Sequence, residues 1–238
     1  MTERLFLNDP RAQECTATVL ASGPDEGVLL DRTVFYARSG GQPGDSGTLR
    51  WDGGACAIAE AVKGEGEAIL HLPAPGAELP PAGATVTASL DWDRRFALMR
   101  MHSAMHLLCA AIPGAGVTGG QVGADRSRLD FDLPDPPPKE QIESRLNALI
   151  AAGHTISTHW VDEAVLDTNP EMVRTLSVKP PRGAGRLRLV RIGPAEQPVD
   201  LQPCGGTHVG NTAEIGPIQV LKIENKGRQN RRIVIAPG

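Results

Sequence analysis

Leu98, Met101, Met105, Leu108 and Ile112 recur at intervals of 3, 4, 3 and 4 residues. That spacing places them on one helical face and predicts a helix from about Asp93 to Ile112, ended by Pro113-Gly114. The helix divides the chain. Before it, short apolar segments (CTATVLAS, GVLLD, TVFYA, GTLRW, EAILHL, TVTASLD) alternate with Gly, Pro and Asp turns, the pattern of a small barrel or sandwich. The Pro/Gly-rich stretch 72–83 is a loop within that region, because TVTASLD resumes a strand after it. After the helix come a Gly-rich loop, GAGVTGGQVGAD, and a strand, RLDFDL. A second helix covers DPPPKEQIESRLNALIAAGH, with Asp135 as its cap, the prolines in its first turn and Gly153 as its stop. TISTHWVD, RLRLVRIG, GPIQVLKIEN and RRIVIA read as strands, and DEAVLD as a short helix. The expected class is α+β: an N-terminal β domain over 1–92, then an α+β domain over 93–238.

Composition narrows the functional classes. No apolar run approaches the ~20 residues of a membrane-spanning helix. The N-terminus lacks the charged-then-apolar pattern of a signal peptide, so a cytoplasmic protein is expected. Four widely spaced cysteines fit a reducing compartment. The net charge of −4 does not by itself suggest a nucleic-acid partner, but its distribution does. Residues 1–92 hold 6 Lys and Arg against 13 Asp and Glu, whereas 93–238 hold 18 against 15. Arg174, Lys179, Arg182, Arg186, Arg188 and Arg191 form a run without an acid, and Lys222, Lys226, Arg228, Arg231 and Arg232 form a second cluster. Such local patches suit phosphates, although a solvated charged face is the plainer reading. Aromatics are 3% of the chain and nearly absent from both clusters, which argues against base stacking as the main mode.

The first predicted helix carries His102-Ser-Ala-Met-His106. Residues i and i+4 share a face, so the two imidazoles can approach one metal ion from one side. Cys204-Gly-Gly-Thr-His208 lies in a loop between strands, where two glycines let a thiolate and an imidazole turn to one point. Three nitrogens and one sulfur suit zinc, one ion per chain. Either pair alone is weak, and a structural zinc is the competing reading of both together. Cys109, one turn beyond His106, reads as a small buried hydrophobe.

With RTVFYARSGGQPGDSGTL upstream, VGADRSRLDFDLP after the helix, and QPCGGTHVGNTAEIG, the chain resembles the editing domain shared by alanyl-tRNA synthetases and the AlaX family of trans-editing proteins. Threonyl-tRNA synthetases carry a related domain, but SGGQPGDSG and CGGTHVGNT fit the alanine branch better. The resemblance runs from about residue 28 to the C-terminus. It implies a β-barrel like those of translation proteins followed by an α+β zinc-binding editing domain, with zinc held by His102, His106, Cys204 and His208. The chain is too short to add an aminoacylation domain, so it is expected to deacylate tRNA without charging it. Its size looks like the medium-length AlaX subgroup.

The implied substrate is mischarged tRNA(Ala), carrying serine or glycine, and no obligate protein partner is readable. A pocket that hydrogen-bonds a seryl hydroxyl would reject alanine. Thr33 is the leading candidate for that contact, with a plain strand residue as the alternative. Gln42 and Gln121 are candidates to line the site, each in a Gly-Gly-Gln sequence. Gly40 and Gly41 would permit close backbone approach, and Thr207 would support its neighbour His208. Asp45 reads as closing its turn. Arg182, Arg186, Arg188, Lys226, Arg228 and Arg231 are candidate contacts to the acceptor stem. The competing functions are a tRNA-binding module with a structural zinc, and a zinc hydrolase for another aminoacyl-tRNA.

Overall fold

The N-terminal strands close on themselves. The computed structural model describes residues 2–24, 26–176, 183 and 185–238. In chain order, β1 (Glu3–Arg4), β2 (Glu14–Gly23), β3 (Gly27–Leu30), β4 (Arg32–Thr33), β5 (Gly47–Trp51), β6 (Gly54–Lys63), β7 (Ile69–Pro73) and β8 (Thr85–Leu90) precede the first helix. A closed barrel runs β2-β3-β7-β6-β5-β8, which leaves it no open edge. Val19, Val28, Leu30, Leu49, Ile58, Ile69, Val86 and Ala88 fill its interior. The chain divides into two compact units, Met1–Ala97 and Leu98–Gly238.

Two features of this unit depart from the sequence reading. β6 was not anticipated: GACAIAEAVK is rich in Ala, and a bulge between Ile58 and Glu60 breaks its alternation, so Cys56, Ile58 and Ala61 are the buried positions. TVFYA is a strand only as far as Thr33. Val34 to Ala37 are buried without a ladder, because side chains take over the backbone's hydrogen bonds. Phe35 N donates to Thr33 Oγ1 (3.0 Å), and Tyr36 N to Asp45 Oδ2 (2.6 Å).

The helix α1 (Trp92–Ala111) begins beside Asp91, whose carboxylate accepts from Arg94 N at 3.2 Å, and ends before Pro113-Gly114. Its burial exceeds one stripe: every residue from Met101 to Cys109 is buried. Such all-round burial marks a helix inside the core rather than on its surface.

Beyond α1 lie β9 (Gly116–Gln121), β10 (Ser127–Asp132), α2 (Lys139–Ala151), β11 (Ile156–Asp162), α3 (Val165–Thr168), β12 (Arg186–Ile192), β13 (Asp200–Pro203), β14 (Ile218–Asn225) and β15 (Asn230–Pro237). They build a four-stranded sheet, β14-β15-β10-β9, and a three-stranded one, β11-β12-β13. The expected Gly-rich loop after α1 is instead β9, paired with β10; a Cβ on Gly120 would come within 2.9 Å of Leu129 and 3.2 Å of Met105. α2 buries Ile142, Leu146 and Ile150. Asp135 does not cap it: Pro138 occupies the cap position with ψ 143°, and the helix starts after the prolines. Gly153, at φ 65°, follows its last turn.

Candidate metal centre

Two segments separated by nearly 100 residues meet in the unit 98–238. α1 supplies His102 and His106, and the loop after β13 supplies Cys204 and His208. One ligand atom from each lies within 4.8 Å of all the others. Cys204 Sγ stands 3.6 Å from His102 Nε2 and 3.4 Å from His208 Nε2. A tetrahedral zinc with ordinary bond lengths would hold sulfur and nitrogen about 3.5 Å apart. Spacing and donor chemistry therefore both fit that ion.

Neighbouring residues fix the donors' directions. His106 Nδ1 lies 2.8 Å from Asp200 Oδ2. A carboxylate only accepts, so Nδ1 carries the proton and Nε2 is left to the centre. Asp200 also accepts from Gln202 Nε2 at 2.8 Å and pairs with Arg174 Nε at 3.5 Å. Ser103, inside the HSAMH motif, accepts from Val209 N at 3.3 Å and stands 3.2 Å from His208 Nδ1, tying helix to loop. Arg188 is buried, and its Nη1 donates to the carbonyls of Cys204 (2.8 Å) and Gly206 (2.9 Å). Further along, Asn211 and Glu214 form a capping box over Thr212–Ile215, which orders the chain leaving His208.

Burial and partners set the charges. Burial disfavours a Cys204 thiolate, but His102 and His208 outweigh it and hold the thiol well below its usual range. Burial likewise disfavours charge on His106, yet hydrogen bonds to Asp200 and Cys204 lift it to about 10. Burial, reinforced by His102, pushes His208 down to about 3. Cys109 is buried and its thiol raised to about 12, first by desolvation and then by Asp200. It stands outside the donor group, as a small core residue would.

The remaining candidates scatter. Thr33 is fully buried in the barrel unit, 2.8 Å from His71 Nε2. His71 Nδ1 lies 2.9 Å from Val28 O, so Nδ1 must donate; Nε2 then accepts, and Thr33 donates to it. Gly40 (φ 55°) and Gly41 (φ 83°) form the tight turn in which Ser39 and Gln42 exchange backbone hydrogen bonds of 3.1 and 2.9 Å. Gln42 is buried below that turn. Asp45 is buried in an ion pair with Arg95, whose Nη1 and Nη2 also reach Pro10 O and Val34 O. In the other unit, Thr207 is fully buried beside His208. Gln121 is exposed at the end of β9, where Arg128 Nε donates to it at 3.3 Å.

Of the basic candidates, Arg186 and Arg228 are exposed. Lys226 pairs with Glu224 at 3.0 Å, and Arg231 reaches the Pro134 carbonyl. Arg182 lies outside the described residues, as does Lys179. Sequence reasoning missed Asp200, Gln202 and Ser103. Asp200, Gln202 and Cys204 alternate along one strand and its end, a period of two that brings all three to one face.

Two family models match the chain: tRNA synthetases class II (A) over residues 6–94, and the threonyl and alanyl tRNA synthetase second additional domain over residues 187–234. The alanyl-tRNA editing protein AlaX-M of Methanosarcina mazei is 37% identical, over 98% of this chain and 95% of its own length. AlaX-M of Saccharolobus solfataricus is 32% identical over 98% of both. The alanine–tRNA ligase of Pyrobaculum arsenaticum is 36% identical over 94% of this chain, a match that takes up 25% of that ligase.

Proposed function

The chain belongs to the AlaX-M family of alanyl-tRNA editing proteins, and from that premise we propose that it hydrolyses the ester of mischarged tRNA(Ala), seryl-tRNA(Ala) foremost. The observation that carries this reading is the convergence of His102, His106, Cys204 and His208 on one point. We assign them zinc, one ion per chain. When bound, zinc supplies a Lewis acid able to polarise an ester carbonyl.

The chain's own groups provide the rest. Asp200 holds His106 in the tautomer that offers Nε2, Ser103 couples α1 to the loop, and Arg188 fixes the backbone around Cys204. For selection we assign Thr33. Its proton is committed to His71, so it can offer an incoming hydroxyl only a lone pair, a contact that serine can satisfy and alanine cannot. Because Thr33 is fully buried, a substrate reaches it only when the neighbouring chain gives way. Gln42, Gln121, Gly40, Gly41 and Thr207 stay as candidates for lining the site. Arg186, Lys226, Arg228 and Arg231 are assigned to the acceptor-stem phosphates, while Arg188 is assigned to the loop.

Four protein donors complete a tetrahedral set, which is the pattern of structural zinc sites and favours a second reading: a tRNA-binding module without turnover. Serine release from seryl-tRNA(Ala), with alanyl-tRNA(Ala) alongside, decides between them. Under the hydrolase reading wild type releases serine rapidly, Cys204→Ala does not, and the alanyl ester survives. A wild type that binds tRNA and releases nothing would be the binding module. Equal attack on both esters would keep the hydrolase and remove the selectivity assigned to Thr33.

A further inference from the structure

The ladder between β11 and β12 supplies an aromatic group to a basic strand that has none of its own. Trp160 lies directly opposite Arg188, and Asp162 opposite Arg186. Residues opposite one another, and residues two apart on one strand, share a face of the sheet. Trp160, Arg186 and Arg188 therefore stand on one side. The Arg186 guanidinium carbon lies 5.8 Å over the indole, while 42% of Trp160 is open to solvent. Two acids on this side are already engaged: Asp162 accepts from Ala164 N at 2.8 Å and closes the turn after β11, and Asp200 is held by His106 and Gln202.

The same face leads to the metal centre. Cys204 N donates to Arg188 O at 3.1 Å, so Trp160, Arg188 and Cys204 form one row across the sheet. Two strand spacings put Trp160 about 10 Å from the metal loop. That is the scale of a single nucleotide, from its base to an ester on its ribose. On this side Arg188, Val190 and Gln202 are buried, so its open part is the edge at Trp160 and Arg186; the opposite side packs Leu187 and Leu189 with Leu166, Val161 and Leu201.

We propose that Trp160 and Arg186 form a stacking platform for an unpaired base in the 3′ end of a tRNA, on the sheet face that runs to the metal loop. This rests on the reading that the partner is a tRNA. An indole accepts any base by its π-face, and a flanking arginine adds cation–π attraction and charge for the adjoining phosphate. The platform holds the end of the chain in register with the metal loop without reading its sequence.

Binding of uncharged tRNA(Ala), intact or trimmed of its unpaired 3′ nucleotides, tests this without any turnover. Trp160→Ala should weaken binding of intact tRNA about tenfold, and Trp160→Phe should retain most of the affinity. Trimming should cost wild type a similar factor and Trp160→Ala little more. Equal affinities of wild type and Trp160→Ala for intact tRNA would overturn the platform, as would an equal cost of trimming in both. A wild type that binds in this pattern but releases no amino acid would overturn the hydrolase and leave the platform standing. Serine release with an unaltered Trp160→Ala would do the reverse, and a wild type that binds no tRNA would overturn both.

Discussion

Asp200 stands behind one donor and fixes its tautomer. Its carboxylate is buried and accepts from His106 and Gln202. Removing such a partner typically costs ten- to a hundredfold in metal affinity. Asp200→Ala should show that loss in competition with a chromogenic chelator, with the fold kept; unchanged affinity would mean that the helix alone orients His106. His71 makes a second prediction. Burial, only partly offset by its bond to Val28 O, lowers its pKa from 6.5 to about 4. Between those values the folded chain binds fewer protons than the unfolded one. Its contribution is thus fully present above pH 6.5 and is lost as the pH falls through 4, about 3 kcal/mol in all. Urea midpoints should drop further for wild type than for His71→Gln over that range; parallel curves would refute it. The four donors were legible because each pair has a spacing with a geometric meaning. Asp200 was not, since a lone acid in a strand carries no spacing until the strand's face is known.

At the scale of elements, the SGGQPGDSG segment shows what pattern reading misses. Up to Ser46 it carries no ladder beyond one tight turn, and Gly47 opens β5. Its conformation is set by a side chain on α1, Arg95, which pairs with Asp45 in full burial. Close approach fixes it as well: a Cβ at Gly44 would lie 1.9 Å from Ala61 O. Asp45→Ala leaves Arg95 charged and buried without its partner, so a loss of about 3–5 kcal/mol is expected in chemical denaturation. A loss under 1 kcal/mol would mean that the carbonyls of Pro10 and Val34 suffice. The helices and most strands were legible from period and punctuation. β6 was obscured by alanines and a bulge, and β9 by glycines that lower strand propensity yet let it approach Met105 and Leu129. The aromatic beside the basic cluster was hidden for a related reason. Trp160 and Arg186 are far apart in sequence, and only the β11–β12 register makes them neighbours.

At the scale of the molecule, the metal donors belong to one unit and the barrel core to the other. His102, His106, Cys204 and His208 all fall within Leu98–Gly238, while the core from Phe6 to Ala88 falls within Met1–Ala97. A ligand stabilises the cooperative unit that holds it by an amount set by its concentration over Kd. Zinc should therefore raise the unfolding temperature of the second unit, by about 10 °C at a thousandfold over Kd, and leave the barrel's transition in place. The second unit also buries an extensive apolar set, including Leu98, Leu107, Leu108, Phe131, Ile142 and Ile233, so it does not depend on the metal for a core. Chelation should then lower one calorimetric transition while far-ultraviolet circular dichroism at 25 °C stays near that of the zinc-loaded protein. Collapse of the spectrum on chelation would show the ion to be a folding staple. A single transition that shifts as a whole would show that the two units unfold as one, and the separate assignment of donors and barrel core would lose its thermodynamic meaning.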